Sequence, residues 1–166
     1  GGFATSLALL LWFFRKQGAS TWGYLDALAY GVTFAWFWGR MGCFVSHDHP
    51  GVQTEFWLGV QGLCDRGRSL QACHDLGLYE ALFMVPLGCL FWWLERKPRP
   101  RGFYVGLLPL LYGPIRFGLD FWRLGDVRYL GLTPAQWGCV VCVCGGIGVL
   151  VARRNAPLST GRLEAS

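Results

Sequence analysis

Residues 134–152 read PAQWGCVVCVCGGIGVLVA, nineteen positions without one Asp, Glu, Lys or Arg. A membrane-spanning helix needs about 20 predominantly apolar residues, and Arg153 and Arg154 follow at once. Four further apolar runs lie at about residues 3–14, 22–38, 76–94 and 102–122. Several contain Gly or Pro (Pro86, Pro109, Gly113, Pro114), which membrane bundles tolerate better than soluble helices do. The pattern predicts an all-α integral membrane protein, a polytopic helix bundle of about five transmembrane helices with an irregular extracytoplasmic loop region.

Composition agrees with that solvent. Of 166 residues, 53% are hydrophobic, 16% aromatic and 15% charged, against about 25% charged in an ordinary soluble domain. Nine Trp, twelve Phe and a mean hydropathy of +0.33 leave a single soluble core too little polar surface to cover it. The net charge of +5 does not indicate nucleic acid, because the basic residues cluster at the ends of apolar runs and form no stripe. The chain opens Gly1-Gly2-Phe3, with no initiator Met and its first run already under way, so it reads as a fragment. No charged leading region or cleavage site marks a signal peptide.

Lys and Arg in the connections set the orientation. One side carries Arg15, Lys16, Arg96, Lys97, Arg99, Arg101, Arg153, Arg154 and Arg162, nine cations against Asp26, Glu95 and Glu164. The other has six Arg against seven Asp and Glu. The first side is therefore cytoplasmic, and the chain start, the long connection 41–75 and the turn 123–133 face outward. Residues 1–154 form one transmembrane unit with its outer loop at 41–75. Residues 155–166 form a cytoplasmic tail, frayed from Arg162 onward.

A connection as long as 41–75 is usually functional or separately folded, and it holds all three His. Its centre, 54–61, contains Phe56, Trp57, Leu58 and Val60 and reads equally as a short strand or an interfacial patch. Cys64 and Cys73 share this loop, where an oxidising compartment permits a disulfide. Cys139, Cys142 and Cys144 lie in the charge-free run, where Cys behaves as a small apolar residue.

Chemistry concentrates in a few polar residues. Tyr112, Arg116, Asp120 and Arg123 are spaced by four, four and three, which places them on one helix face. An intramembrane Arg marks function by default; alternatively Arg116 and Asp120 pair at i,i+4 and snorkel at the interface. Arg40 stands at the outer end of the second run. Two outer Arg on separate helices suit a phosphate-bearing lipid headgroup, because guanidinium binds phosphate bidentately. His47-Asp48-His49 with His74-Asp75 has ligand types for zinc, yet its spacing fits no closed metal motif; the same imidazoles serve as a general base or as loop hydrogen-bonding groups.

These residues fall into segments that resemble one family, the bacterial prolipoprotein diacylglyceryl transferases. Gly39-Arg40-Met41-Gly42-Cys43-Phe44 is similar to that family's G-R-[IL]-G-[NC]-F signature, and Gly51 falls where the signature segment ends in a functionally important Gly. The segment from His74 to Glu80 is similar to its H-P-T-Q-L-Y-E, with His, Leu, Tyr and Glu in register. Tyr112 through Arg116 to Asp120 and Arg123 resembles Y-x-x-x-R-F-x-x-E-x-x-R, and Leu130-Gly131-Leu132-Thr133-Pro134-Ala135-Gln136 resembles L-G-x-[LF]-T-x-x-Q. The resemblance runs from Gly1 to about Arg154.

The resemblance implies a multi-pass enzyme of the bacterial plasma (inner) membrane, seven helices in all, with an extracytoplasmic site. It implies transfer of the diacylglyceryl group of phosphatidylglycerol to the lipobox Cys thiol of a prolipoprotein signal peptide, forming a thioether and releasing glycerol phosphate, with neither metal nor cofactor. Arg40 and Arg116 are then the phosphate-binding pair and His74 a third catalytic residue. Cys43, Gly51, Tyr79, Glu80, Tyr112, Asp120 and Arg123 contact substrate or shape its site, Asp120 by holding Arg116. The family's Gly-Gly, often preceded by its proposed base, is Gly1-Gly2 here, so that position and two earlier helices are missing. Cys43 replaces the common Asn, Asp120 the Glu, and Asp75-Leu76-Gly77 the Pro-Thr-Gln. These departures point to a divergent branch in which His47, His49 or His74 supplies the base or the substrate differs. Beside the transferase stand a metal-dependent membrane hydrolase, which requires the three imidazoles to converge, and a non-catalytic phospholipid-binding paralogue.

Overall fold

The computed structural model describes residues 2–16, 21–64, 71–124 and 127–158. The elements run α1 (Gly2–Lys16), α2 (Thr21–Ser46), β1 (Pro50–Gln53), β2 (Val60–Gln61), β3 (Ala72–Asp75), α3 (Leu76–Leu94), α4 (Phe103–Leu119), a 3₁₀ turn (Asp120–Trp122) and α5 (Pro134–Arg153). Among the described residues, α3 and α5 are long and apolar enough to cross a membrane. At 1.5 Å per residue, the 20 residues of α5 extend roughly 30 Å, the thickness of a hydrocarbon core.

Helix starts are written locally. Asp75 caps α3 by accepting the Leu78 N–H at 3.0 Å, and Thr133 with Gln136 forms a reciprocal capping box at α5, with Pro134 in its first turn. The start of α4 is capped from another helix: the buried Asp26 of α2 accepts the N–H groups of Gly102 (2.6 Å) and Val105 (3.0 Å). Gly102 there has φ +100°, a left-handed backbone that suits glycine.

Helix α4 packs on α5 at backbone range. A Cβ on Gly146 would stand 2.6 Å from the Gly106 carbonyl oxygen, and one on Gly113 2.5 Å from Val143 Cγ2, the small-residue packing typical of membrane bundles. Helix α3 supplies the core through Met84, Leu87 and Phe91, covered by Tyr30, Phe37, Tyr104, Leu107 and Leu111 among others. Outward faces remain apolar, with Trp38, Trp92, Trp93, Val141 and Val151 exposed.

The segment between α2 and α3 is a three-stranded antiparallel sheet in the order β1-β3-β2. Pro50 pairs with Asp75 and Val60 with Cys73, and a disulfide joins Cys64 to Cys73 across a Cα–Cα distance of 5.5 Å. In the stretch 54–61, Val60–Gln61 form the short strand β2, and Phe56 and Trp57 before it lie on an exposed turn, Trp57 at 80% exposure. Two boundaries differ from the hydropathy reading. Helix α2 continues through 41–46, where its backbone packs on the start of α3: a Cβ on Gly77 would stand 3.1 Å from Phe44 N and 3.3 Å from the Arg40 carbonyl oxygen. Helix α4 ends at Leu119, so Arg123 leaves the helix face it was expected to share and lies in extended backbone, bridged to Gly51. The frayed tail from Arg162 lies outside the described residues; before it, the Arg101 N–H donates to the Pro157 carbonyl and tethers the chain after α5 to the α3–α4 connection.

Candidate functional site

Glu80, in the second turn of α3 and 1% exposed, is the hub of a network drawn from three helices. Its Oε2 meets Arg40 Nε of α2 at 2.8 Å, and its Oε1 meets Arg116 Nη1 of α4 at 3.5 Å. The Tyr112 hydroxyl donates to Glu80 Oε2 and accepts from Trp36 Nε1 at 3.0 Å and Arg40 Nη2 at 3.4 Å. Tyr112 and Arg116 reach the same carboxylate because they are four residues apart on α4. Arg40 also lies over the Trp36 ring, 5.2 Å from its centroid, a cation–π contact that holds the guanidinium plane.

Arg116 has a second anchor. Its Nη2 meets Asp120 Oδ1 at 3.1 Å, and the Thr133 hydroxyl donates to Asp120 Oδ2. Gln136 ties the same corner by donating to the Phe117 carbonyl at 3.2 Å. Asp120 is buried at the end of α4, and Thr133 and Gln136 are buried at the start of α5. The α5 cap therefore also orients the carboxylate that orients Arg116. A guanidinium presents five N–H donors, and these contacts engage two nitrogens of each Arg. Arg40 and Arg116 keep 14% and 12% of their side-chain surface open. The remaining N–H donors of two guanidiniums held in fixed planes by buried carboxylates are of the type that binds oxyanions such as phosphate.

Beside this cluster in sequence order, the sheet meets the 3₁₀ turn through Gly51, whose backbone bridges to Arg123. A Cβ there would stand 3.0 Å from the His74 carbonyl oxygen and 3.1 Å from that of Trp122, so close backbone approach explains the glycine. His74 forms a separate group. Its Nδ1 lies 2.6 Å from the Tyr79 hydroxyl, and its ring stacks on Trp122 at 4.8 Å. With Phe56 and Leu58, these three residues line a cavity of about 400 Å³. Burial pushes the His74 imidazole below its ordinary pKa. His47 Nδ1 faces Asp75 Oδ2 at 3.4 Å, and the His49 carbonyl accepts the Leu76 N–H at 3.3 Å. Cys43 lies one turn beyond Arg40, half-buried, with its carbonyl accepting the Asp48 N–H.

Of the residues singled out by sequence, Arg40, Glu80, Tyr112, Arg116 and Asp120 come together in one network, and Gly51 bridges to Arg123. His74 and Tyr79 pair with each other beside Trp122. The convergence of imidazoles that a metal hydrolase requires is not found: His47 and His74 have separate partners, and among the described residues no three His, Cys, Asp or Glu are grouped to hold a metal ion. Trp36, Trp122, Thr133 and Gln136 were not singled out for the site. Trp36 stands four residues before Arg40 on one helix face, and Thr-x-x-Gln is a capping signature, so both had a signal in the sequence.

The sequence model of a family described as prolipoprotein diacylglyceryl transferase matches residues 1–152. A phosphatidylglycerol–prolipoprotein diacylglyceryl transferase of Chromohalobacter salexigens is 33% identical over an alignment of 174 residues, covering 100% of this chain and 63% of its own length. Enzymes of the same name from Polynucleobacter asymbioticus and Methylobacillus flagellatus are 34% and 32% identical, covering 94% and 91% of this chain and 60% and 59% of theirs. The chain thus spans about 60% of the length of these curated relatives. With a family match over residues 1–152 and a third of its positions shared with those enzymes, the chain belongs to the prolipoprotein diacylglyceryl transferase family.

Proposed function

We propose that this chain provides the phosphate-binding part of a membrane transferase that moves the diacylglyceryl group of phosphatidylglycerol to the lipobox cysteine thiol of a prolipoprotein. The observation that carries the reading is the convergence of Arg40 and Arg116 on Glu80, with Tyr112 hydrogen-bonded to both Glu80 and Arg40. In this reaction the thiolate sulfur forms a C–S bond to the glycerol carbon, and the C–O bond to phosphate breaks. Negative charge then grows on the departing glycerol phosphate. Two guanidiniums fixed before substrate arrives stabilise that charge without reorganisation. Asp120 and Thr133 keep Arg116 in plane, and Gly51 lets the sheet approach the backbones of His74 and Trp122.

In this reading all five helices span the bacterial plasma membrane, and the sheet faces the extracytoplasmic side. The excess of Lys and Arg in the opposite connections supports that sidedness. The Cys64–Cys73 disulfide fits an oxidising compartment.

The test is transfer from phosphatidylglycerol labelled in its acyl chains to a lipobox peptide, with the protein reconstituted in lipid vesicles, with and without a chelator. Chelator-resistant thioether product supports the transferase. Intact phosphatidylglycerol retained by a folded protein that yields no product overturns it and leaves a phospholipid-binding role.

A further inference from the structure

Two tryptophans stand two residues apart on α2 and are placed differently. Trp38 is 73% exposed, its ring set edge-on against Phe37. A tryptophan that anchors a helix at a membrane interface aims its N–H at water or headgroups. Trp36 instead aims its N–H at another helix: Nε1 donates to the Tyr112 hydroxyl of α4 at 3.0 Å. Its ring meets that of Tyr112 edge-on at 6.1 Å, and its face lies 5.2 Å from the Arg40 guanidinium one turn further along α2. Trp36 is 41% exposed, so filling a core does not account for it. It also lies outside every segment that carries the family resemblance.

We propose that Trp36 is a positioning residue for the phosphate-binding site, a role that rests on the transferase reading above. It acts through two neighbours. A phenolic oxygen both accepts and donates, with one proton to give. Tyr112 accepts from Trp36 Nε1 and, at 3.4 Å, from Arg40 Nη2, so its own proton is committed to Glu80. That hydrogen bond and Arg40 Nε at 2.8 Å both fall on Glu80 Oε2. They offset a carboxylate charge that would otherwise repel an arriving phosphate. Arg40 thereby has Nε on Glu80 and Nη2 on Tyr112, and the Trp36 face fixes how its plane is turned. Nη1 lies outside these contacts; with the plane fixed, its donors point in one direction, ready for a phosphate oxygen. Trp36 therefore acts on recognition of the phosphate and not of the lipid tails.

The test titrates the protein in detergent with phosphatidylglycerol and, separately, with diacylglycerol, which has the same tails and no phosphate, and reads binding by native mass spectrometry. Trp36→Phe keeps a ring and loses the N–H, so its affinity for phosphatidylglycerol should fall about fivefold. Trp36→Ala also loses the cation–π contact and should fall about 30-fold. Diacylglycerol should bind both variants as it binds wild type. In a Tyr112→Phe background, where the acceptor is gone, Trp36→Phe should cost nothing further. Wild-type affinity for phosphatidylglycerol in both variants overturns the proposal. So does a parallel loss for both lipids, which marks a packing role, or an undiminished loss in the Tyr112→Phe background. The expected lipid discrimination without thioether product from wild type instead overturns the transferase reading and leaves Trp36 positioning a phosphate-binding site.

Discussion

Glu80 stands between guanidiniums from two helices and accepts the Tyr112 proton as well. Replacing it by Ala leaves two largely buried cations without their shared counter-charge, and breaking a buried pair in this way costs about 3–5 kcal/mol. Glu80→Ala should therefore unfold at markedly lower denaturant than wild type in detergent. Glu80→Gln, which keeps an acceptor for Tyr112, should lie between them. A Glu80→Ala protein as stable as wild type would show that the ion pairs do not hold the three helices together. Glu80 was in the sequence motif, but one residue cannot reveal that its partners come from two other helices. His74 and Tyr79 illustrate the same limit: five residues apart across a strand–helix junction, they match neither the strand nor the helix period.

At the scale of elements, the α4–α5 contact depends on glycines whose missing side chains set the helix separation. Gly146→Ala forces its Cβ against the Gly106 carbonyl oxygen at 2.6 Å and Pro109 Cγ at 2.8 Å. Overpacking of this kind costs about 1–3 kcal/mol, so the variant should melt earlier. Gly148→Ala, with nothing within 4 Å of its added Cβ, should melt with wild type. Equal melting temperatures for the two variants would contradict the packing. Elements were the most legible part of the sequence, since the apolar runs at 76–94 and 134–152 reappear as helices with nearly those ends. Arg123 shows where periodicity fails. A spacing of three extends a helix only if the helix continues, and the 3₁₀ turn after Leu119 turns Arg123 toward Gly51 instead. The sheet was beyond the sequence because its strands are two to four residues long, too short for an alternating pattern.

For the molecule as a whole, the proposed function puts the sheet and its Cys64–Cys73 disulfide on the extracytoplasmic side. Cysteine labelling tests this directly, in a background whose five unpaired cysteines are replaced by Ala. In intact spheroplasts, an impermeant maleimide should modify Trp57→Cys, on the exposed turn before β2, and should modify Lys97→Cys, between α3 and α4, only after permeabilisation. The reverse pattern would invert the topology and place the arginine cluster on the cytoplasmic side.

Two fixed guanidiniums receiving a phosphate are the centre of the proposed function. Its most direct test is diacylglyceryl transfer from labelled phosphatidylglycerol to a lipobox peptide by wild type and Arg116→Lys side by side. Lys keeps the charge but cannot span Glu80 and Asp120 with a planar fork. Thioether product from wild type and none above background from Arg116→Lys is the result predicted; equal turnover by the two proteins would contradict the phosphate clamp.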